Sequence, residues 1–343
     1  MTRPVPIYRD HDEAYQADSC APVVAAIAKG QLRSFTLVHG HYPGRQLPQD
    51  ALPGIKTVGY WDAGHDQDWG LEWHRNEGIE FTYLENGTLG FAVSGREFLL
   101  EPGDLTITRP WQEHRVGLPL VTRSRLHCLI LDVGVRRPNQ EWKWPRWLML
   151  DSSDLEQLTD ILRHNEQSVW KTSQPVRRCL EAIGHAVESD QAGSSISRLT
   201  VRINDFLLEL LDMLRQRDVG LDRSLTSSRR TVELFLEDVR DHPERLESDC
   251  RVADMAASCG LGTTQFISQV KRLTNMTPAQ YLNHCRLERA EKLLREQPGQ
   301  SITSVALACG FYSGQYFATL FRRSFGRSPH EIRNRGIGAR QHL

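Results

Sequence analysis

No stretch of the 343 residues approaches the roughly 18 consecutive apolar residues that a membrane-spanning helix needs. The first residues, MTRPVPIYRDHDEAYQ, place acidic and aromatic side chains where an exported chain carries an apolar run. The seven cysteines, at 20, 128, 179, 250, 259, 285 and 309, are odd in number and contain no Cys-x-x-Cys pair. Neither a disulfide framework nor a zinc knuckle is therefore suggested, and a reduced, cytoplasmic location is expected. Tryptophan is absent after residue 170, although the chain has eight. The aromatic load thus falls on the first half, and the two halves must differ in construction.

Charge repeats that asymmetry. The net charge is -1, yet from Arg229 onward 17 Lys and Arg oppose 12 Asp and Glu. A basic end on a neutral chain suits a polyanion, because Lys and Arg gain affinity by releasing counterions condensed on phosphates. A solvated Arg-rich surface is the plainer alternative.

Residues 1–18 read as a polar tail. From about 32 to 133, short apolar runs alternate with turn signals. FTYLENGTLGFAV predicts a hairpin at Asn86-Gly87, and Ser94-Gly95 and Pro102-Gly103 punctuate the following strands EFLL and LTIT. Antiparallel strands at this spacing predict a small barrel or jelly roll, assigned to 19–148. Over 149–219 the period becomes helical. Leu155, Leu158, Ile161 and Leu162 share one face, a second helix covers 174–189, and a third carries Ile203, Phe206, Leu207, Leu210 and Leu214. The extra Leu208 and Leu211 fit either deep packing or a dimer interface. Residues 220–228 read as a linker, followed by a helix expected to stop at Pro243.

Two passages then repeat. At an offset of 50, Met255 pairs with Val305, Ala256 with Ala306, Cys259 with Cys309 and Gly260 with Gly310; beyond the turn the offset is 51, pairing Phe266 with Phe317, Val270 with Phe321 and Lys271-Arg272 with Arg322-Arg323. Each copy reads as a short helix, a turn at Gly and a second helix with an inward Phe and a basic C-terminal end. A second helix of this kind suits insertion of its N-terminal end into a major groove while its basic end holds phosphate. Two copies are too few for a helical solenoid.

On these residues, 229–336 resembles the DNA-binding domain of the AraC/XylS family of bacterial transcription regulators, with 337–343 a tail. TPAQYLNHCRLERAEKLLRE matches that family's linking helix. The resemblance implies that Thr263, Thr264, Ile267 and Ser268 in the first reading helix, and Gly314, Gln315, Tyr316 and Thr319 in the second, face bases. Lys271, Arg272, Arg286, Ser313, Arg322 and Arg323 would hold phosphates, with Ser313 also fitting a purely capping role. No Arg stands at the base-facing positions, so bidentate guanine readout is not expected there.

The first half carries Gly70, His74, Asn76, Glu80 and Gly87, followed by Pro110 and His114, and this spacing resembles the two motifs of the cupin barrel. Asn76 stands where metal-binding cupins place a second His. The resemblance leaves His74, Glu80 and His114 as a candidate 2-His-1-carboxylate set for a divalent metal, with no cofactor as the favoured expectation. Trp61, Trp73, Trp111, Arg109, Gln112 and the four motif side chains are the candidate lining of a small-ligand pocket, a carbohydrate foremost, since indole faces stack on sugars. The alternative is that each Trp fills the barrel core.

The expected protein is α+β and multidomain: a cupin-like antiparallel β-barrel with a helical connector, then an all-α domain of two helix-turn-helix motifs joined by a long helix. Its expected work is ligand-controlled, sequence-specific transcription regulation, more often activation than repression. The expected partners are promoter DNA, RNA polymerase and a second copy of the chain. The competing class is a metal-dependent cupin enzyme, a dioxygenase or isomerase, with an appended helical domain.

Overall fold

Strand alternation builds the first half and helical periodicity the second. The structure, a computed structural model, describes residues 7–10, 13–16, 20–135, 139–190, 193–217, 219–241 and 251–340. The chain divides into two compact units, Met1–Thr226 and Ser227–Leu343. Among the described residues, no helix is long and apolar enough to cross a membrane.

The first unit opens with an antiparallel ribbon of β1 (Ile7–Asp10) and β2 (Glu13–Gln16), with Tyr8 opposite Tyr15, and helix α1 (Ala21–Ala28). The ribbon corrects the expected tail at 1–18: Ile7, Tyr8 and Tyr15 are strand-favouring residue types. There follow β3 (Leu32–Val38), β4 (Arg45–Gln46), β5 (Ile55–Ala63), β6 (Ile79–Gly87), β7 (Leu89–Val93), β8 (Arg96–Leu100), β9 (Asp104–Thr108), β10 (His114–Val116) and β11 (Ser124–Leu131). Helix α2 (Ser152–His164), strand β12 (Val169–Lys171) and helices α3 (Gln174–Glu188) and α4 (Ile196–Arg215) complete it. Seven strands form one sheet in the order β12-β9-β6-β11-β5-β3-β4, and a second sheet has the order β10-β7-β8.

Successive side chains point to opposite faces of a strand, so each strand of the large sheet divides its residues between two cores. Phe81, Tyr83, Leu129 and Leu131 face Leu158, Leu180, Ile183, Phe206 and Leu210 of α2, α3 and α4. The Phe81 and Phe206 rings meet edge to face, 5.2 Å apart. Leu84, Trp61 and Leu126, on the other face, pack with Leu89, Phe91 and Leu100 of the small sheet. Helices and barrel therefore share one core, and 149–219 is not a freestanding connector. It also contains a strand, because Trp170 is buried and β12 pairs antiparallel with β9.

The Asn86-Gly87 hairpin does not form. Strand β6 pairs with β9 and β11, and β7 with β8 and β10, so the chain crosses from one sheet to the other at Gly87. Gly87 has φ +83, and a Cβ there would stand 2.2 Å from the Arg123 carbonyl oxygen, so the turn needs glycine for close approach. The Ser94-Gly95 hairpin does form, joining β7 to β8 with both residues at positive φ.

The expected linker is partly docked. Residues 223–226 form a single turn whose Arg223 pairs with both carboxylate oxygens of Asp160, and the Asp222 amide donates to the His164 carbonyl at 2.6 Å.

The second unit contains α5 (Ser228–Asp241), α6 (Val252–Ser258), α7 (Thr263–Thr274), α8 (Pro278–Glu296), α9 (Ile302–Ala308), α10 (Gly314–Phe325) and α11 (Pro329–Arg340). The stop expected at Pro243 lies outside the described residues, and α11 extends through Arg340 into the expected tail. Each helix-turn-helix has its own core: Phe235, Met255, Phe266, Val270 and Leu282 in the first, and Leu294, Val305, Phe311, Phe317 and Phe321 in the second. Helix α8 contributes to both.

Candidate functional site

The two copies in the second unit fold alike for identifiable reasons. Gly260 (φ +61) and Gly310 (φ +76) follow the ends of α6 and α9 in the left-handed conformation that a Cβ disfavours. Asn275 and Gly326 end α7 and α10 in the same conformation, each amide bonding back to a carbonyl four residues earlier. Phe266, Val270, Phe317 and Phe321 are fully buried, which fixes the rotation of α7 and α10 about their axes. Ser313 caps α10, its hydroxyl accepting from the Tyr316 amide at 3.3 Å, whereas Gly262 at the start of α7 offers no side chain.

That rotation leaves Thr263, Thr264 and Ser268 exposed on α7, and Gly314, Gln315, Tyr316 and Thr319 exposed on α10. Ile267 differs: it is half-buried, as is its counterpart Ala318. Lys271, Arg272, Arg322 and Arg323 are exposed in the last turns of the same helices, where cations also favour the helix dipole. Arg286 is a correction. It is only 9% exposed, between buried Cys285 and Leu287 on α8, unlike the exposed basic pairs of α7 and α10.

The first unit brings together four of the candidate pocket residues. Glu80 Oε2 accepts from the Asn76 amide at 2.8 Å and lies 2.7 Å from His114 Nε2. His114 Nδ1 donates to the Gln112 carbonyl and His74 Nδ1 to the Glu72 carbonyl, because a carbonyl can only accept. The two imidazoles are 4.3 Å apart, and one ligand atom from each of His74, Glu80 and His114 lies within 4.8 Å of the others. Burial alone would raise the Glu80 pKa. His114, through charge and hydrogen bond, with His74 and Asn76 adding to it, outweighs burial and holds the carboxyl at about 2. Tyr42 donates to Asn76 and Glu77 behind the cluster.

The remaining candidates point elsewhere. Arg109 donates to the Asn165 carbonyl at the end of α2, Trp111 Nε1 to the Val135 carbonyl, and Gln112 Nε2 to Ser94 Oγ. Trp61 is buried beside Trp69 in the inner core, while Trp73 is 45% exposed. They are a correction to a single Trp-lined pocket, because each indole or guanidinium already has a partner or a separate environment.

The sequence reading missed the threonines. Glu80 and Thr82 share the inner face of β6 with Leu84, and register places Thr108 opposite Glu80, and Thr106 and Cys128 opposite Thr82. Gly59 opposes Cys128 and Thr36 opposes Gly59, so Thr36 joins that face. These four Thr are buried, and the Thr108 hydroxyl has no hydrogen-bond partner among the described residues. Burial pushes the Cys128 thiol up to about 12. Period-2 alternation of Thr with apolar residues in FTYL and LTIT is the signal that would have found this lining.

Paired exposed helices with basic C-terminal ends, together with a barrel carrying a polar interior, define the class: a DNA-binding regulator with a barrel-type N-terminal domain. Residues 245–335 match a model described as a helix-turn-helix domain, and residues 65–128 a model described as a cupin domain. The HTH-type transcriptional activator RhaS of Klebsiella pneumoniae (strain 342) is 29% identical over 262 residues, covering 76% of this chain and 86% of that protein. The activator of the same name from Escherichia coli (strain SE11) is 26% identical over 260 residues with the same coverage. The crystal structure of a transcriptional regulator with an AraC-type DNA-binding domain, from Chromobacterium violaceum, is 30% identical and covers 30% of this chain and 93% of that one, with a TM-score of 0.28. These likenesses support an AraC/XylS-type transcription regulator with a cupin-like N-terminal domain.

Proposed function

We propose that the protein is a ligand-controlled transcription activator that binds an asymmetric promoter site as a homodimer in the cytoplasm. The observation that carries the reading is the pair of reading helices: α7 and α10 share a buried Phe and a basic C-terminal pair but expose different side chains. Two readers with different faces select different half-sites, about ten base pairs apart on one side of the duplex. Support for a polyhydroxylated ligand comes from the buried Thr108 hydroxyl, which has no hydrogen-bond partner among the described residues and stands opposite Glu80 on the inner face. Activation is supported by the names of the relatives, and implies contact with RNA polymerase.

Selection from a random-sequence duplex library at physiological salt tests the DNA function; recovery of no common motif defeats it. A thermal-shift screen of sugars tests the ligand class, since a ligand selective for the folded state raises its melting temperature. A second reading, a metal-dependent activity, is favoured by the proximity of His74, Glu80 and His114, with both Nδ1 hydrogens held by backbone carbonyls. Stoichiometric iron or manganese in the purified protein, lost on His74→Ala, would support it.

A further inference from the structure

We propose that Gln265 is a base-reading residue of the first helix-turn-helix, its side-chain amide pairing with one adenine edge in the major groove; this rests on the sequence-specific DNA binding proposed above. The 51-residue register of the repeat sets Gln265 at the position of Tyr316, and both are exposed. On α7, Gln265, Ser268 and Arg272 stand at i, i+3 and i+7, so they form one exposed stripe from the first turn to the phosphate-holding end. Tyr316, Thr319 and Arg323 form the same stripe on α10.

Ile267 falls on the other flank. It shares its i, i+3, i+7 row with buried Val270 and half-buried Thr274, and its counterpart Ala318 is also half-buried. The core therefore holds Ile267 back while the opposite flank presents Gln265. Gln265 is the third residue of α7, in the end that enters the groove in this motif.

Chemistry separates Gln265 from its neighbours. Thr263, Thr264 and Ser268 each offer one rotating hydroxyl, which donates or accepts and discriminates weakly between bases. The Gln amide carries a donor and an acceptor in fixed geometry, matching N7 and the N6 amino group of adenine. Its amide makes no hydrogen bond to another described residue, so no internal bond has to break before it meets DNA.

Random-library selection with the full chain, comparing wild type, Gln265→Ala and Ile267→Ala, tests this. Wild type should return adenine at one position of the half-site read by α7. Gln265→Ala should return the same motif with that position degenerate and affinity for the adenine-containing site down about 5- to 150-fold. Its thermal unfolding and salt dependence should be unchanged, because the side chain is exposed and uncharged. An unchanged motif with Gln265→Ala, or loss of the adenine preference with Ile267→Ala instead, overturns the inference. Equal weakening on every sequence would also overturn it, since that marks a backbone contact. A wild-type selection without any motif overturns the DNA-reading function and this inference together, whereas the other adverse outcomes leave that function standing.

Discussion

Gly184 of α3 lies against His127 of β11 so closely that a Cβ would stand 2.8 Å from the ring Cε1 and 3.0 Å from Nδ1. The other edge of the ring donates from Nε2 to Glu85 Oε2 at 2.6 Å, and the Tyr60 and Tyr83 rings flank it at 5.3 and 5.5 Å. Tyr83 donates to Glu181 on the same helix. The helix thus meets the sheet through a packed polar junction beside the large apolar core.

Gly184→Ala should destabilise the first unit. Alanine improves helix propensity by about 1 kcal/mol, but overpacking at a contact this short costs about 1–3 kcal/mol, and the ring cannot retreat without losing Glu85. Urea unfolding should show a lower midpoint. A stabilised variant would mean that α3 shifts freely over the sheet.

The same junction sets an acid limit. The hydrogen bond from His127 holds the Glu85 carboxyl below its usual range, against a smaller effect of burial, with Arg125 assisting. A carboxyl whose folded pKa is depressed contributes stability above its unfolded pKa, and that stability is lost as pH falls through the folded value. Glu85→Gln should therefore weaken the protein at pH 7 by about 1–3 kcal/mol and flatten the decline of stability in acid. Urea titrations from pH 7 to pH 3 measure both, and parallel curves for the two proteins would refute the assignment.

The second unit was legible because it repeats. Aligning Phe266 with Phe317 and Gly260 with Gly310 places both turns and both inward faces without any tertiary information. The barrel was harder for a physical reason. Asn86-Gly87 has the chemistry of a hairpin turn, but that chemistry also serves a crossing between sheets, and partner strands distant in sequence decide between them. Arg286 likewise has the residue type of a phosphate contact, and only the packing of α8 reveals its burial. The candidate pocket residues were chosen as aromatic and charged types, whereas the inner face also carries, beside its apolar residues, a group of Thr whose significance appears only once register aligns them.

Phe317→Ala should unfold the second helix-turn-helix selectively. Its ring lies 5.1 Å from Phe311 and 5.3 Å from Phe321 and is fully buried, so truncation should cost about 3–5 kcal/mol. Hydrogen exchange should rise in α9 and α10 more than in α6 and α7, which pack around Phe266 in a separate core. Equal loosening of both would show that α8 couples the two.

Chelator treatment should leave DNA binding and thermal unfolding unchanged. Glu80 Oε2 already accepts from Asn76 and lies against His114, and Oε1 accepts from Thr82, so both oxygens have protein partners without an ion. A melting temperature that falls on chelation and recovers with iron or manganese would reverse this expectation.

Arg322 and Gln315 should separate affinity from specificity. Both are exposed on α10, seven residues apart, with Gln315 in the first turn and Arg322 in the last. Alanine at Arg322 removes a charge that displaces one condensed counterion, so binding should weaken on every sequence and the log–log salt slope should become shallower by about 1. Alanine at Gln315 should instead cost about 1–3 kcal/mol on the preferred site alone, with the salt slope unchanged. Affinities at several salt concentrations on preferred and scrambled duplexes distinguish the two. If Gln315→Ala shifted the slope as Arg322→Ala does, α10 would lie along the phosphate backbone, and the difference between its face and that of α7 would no longer predict an asymmetric site.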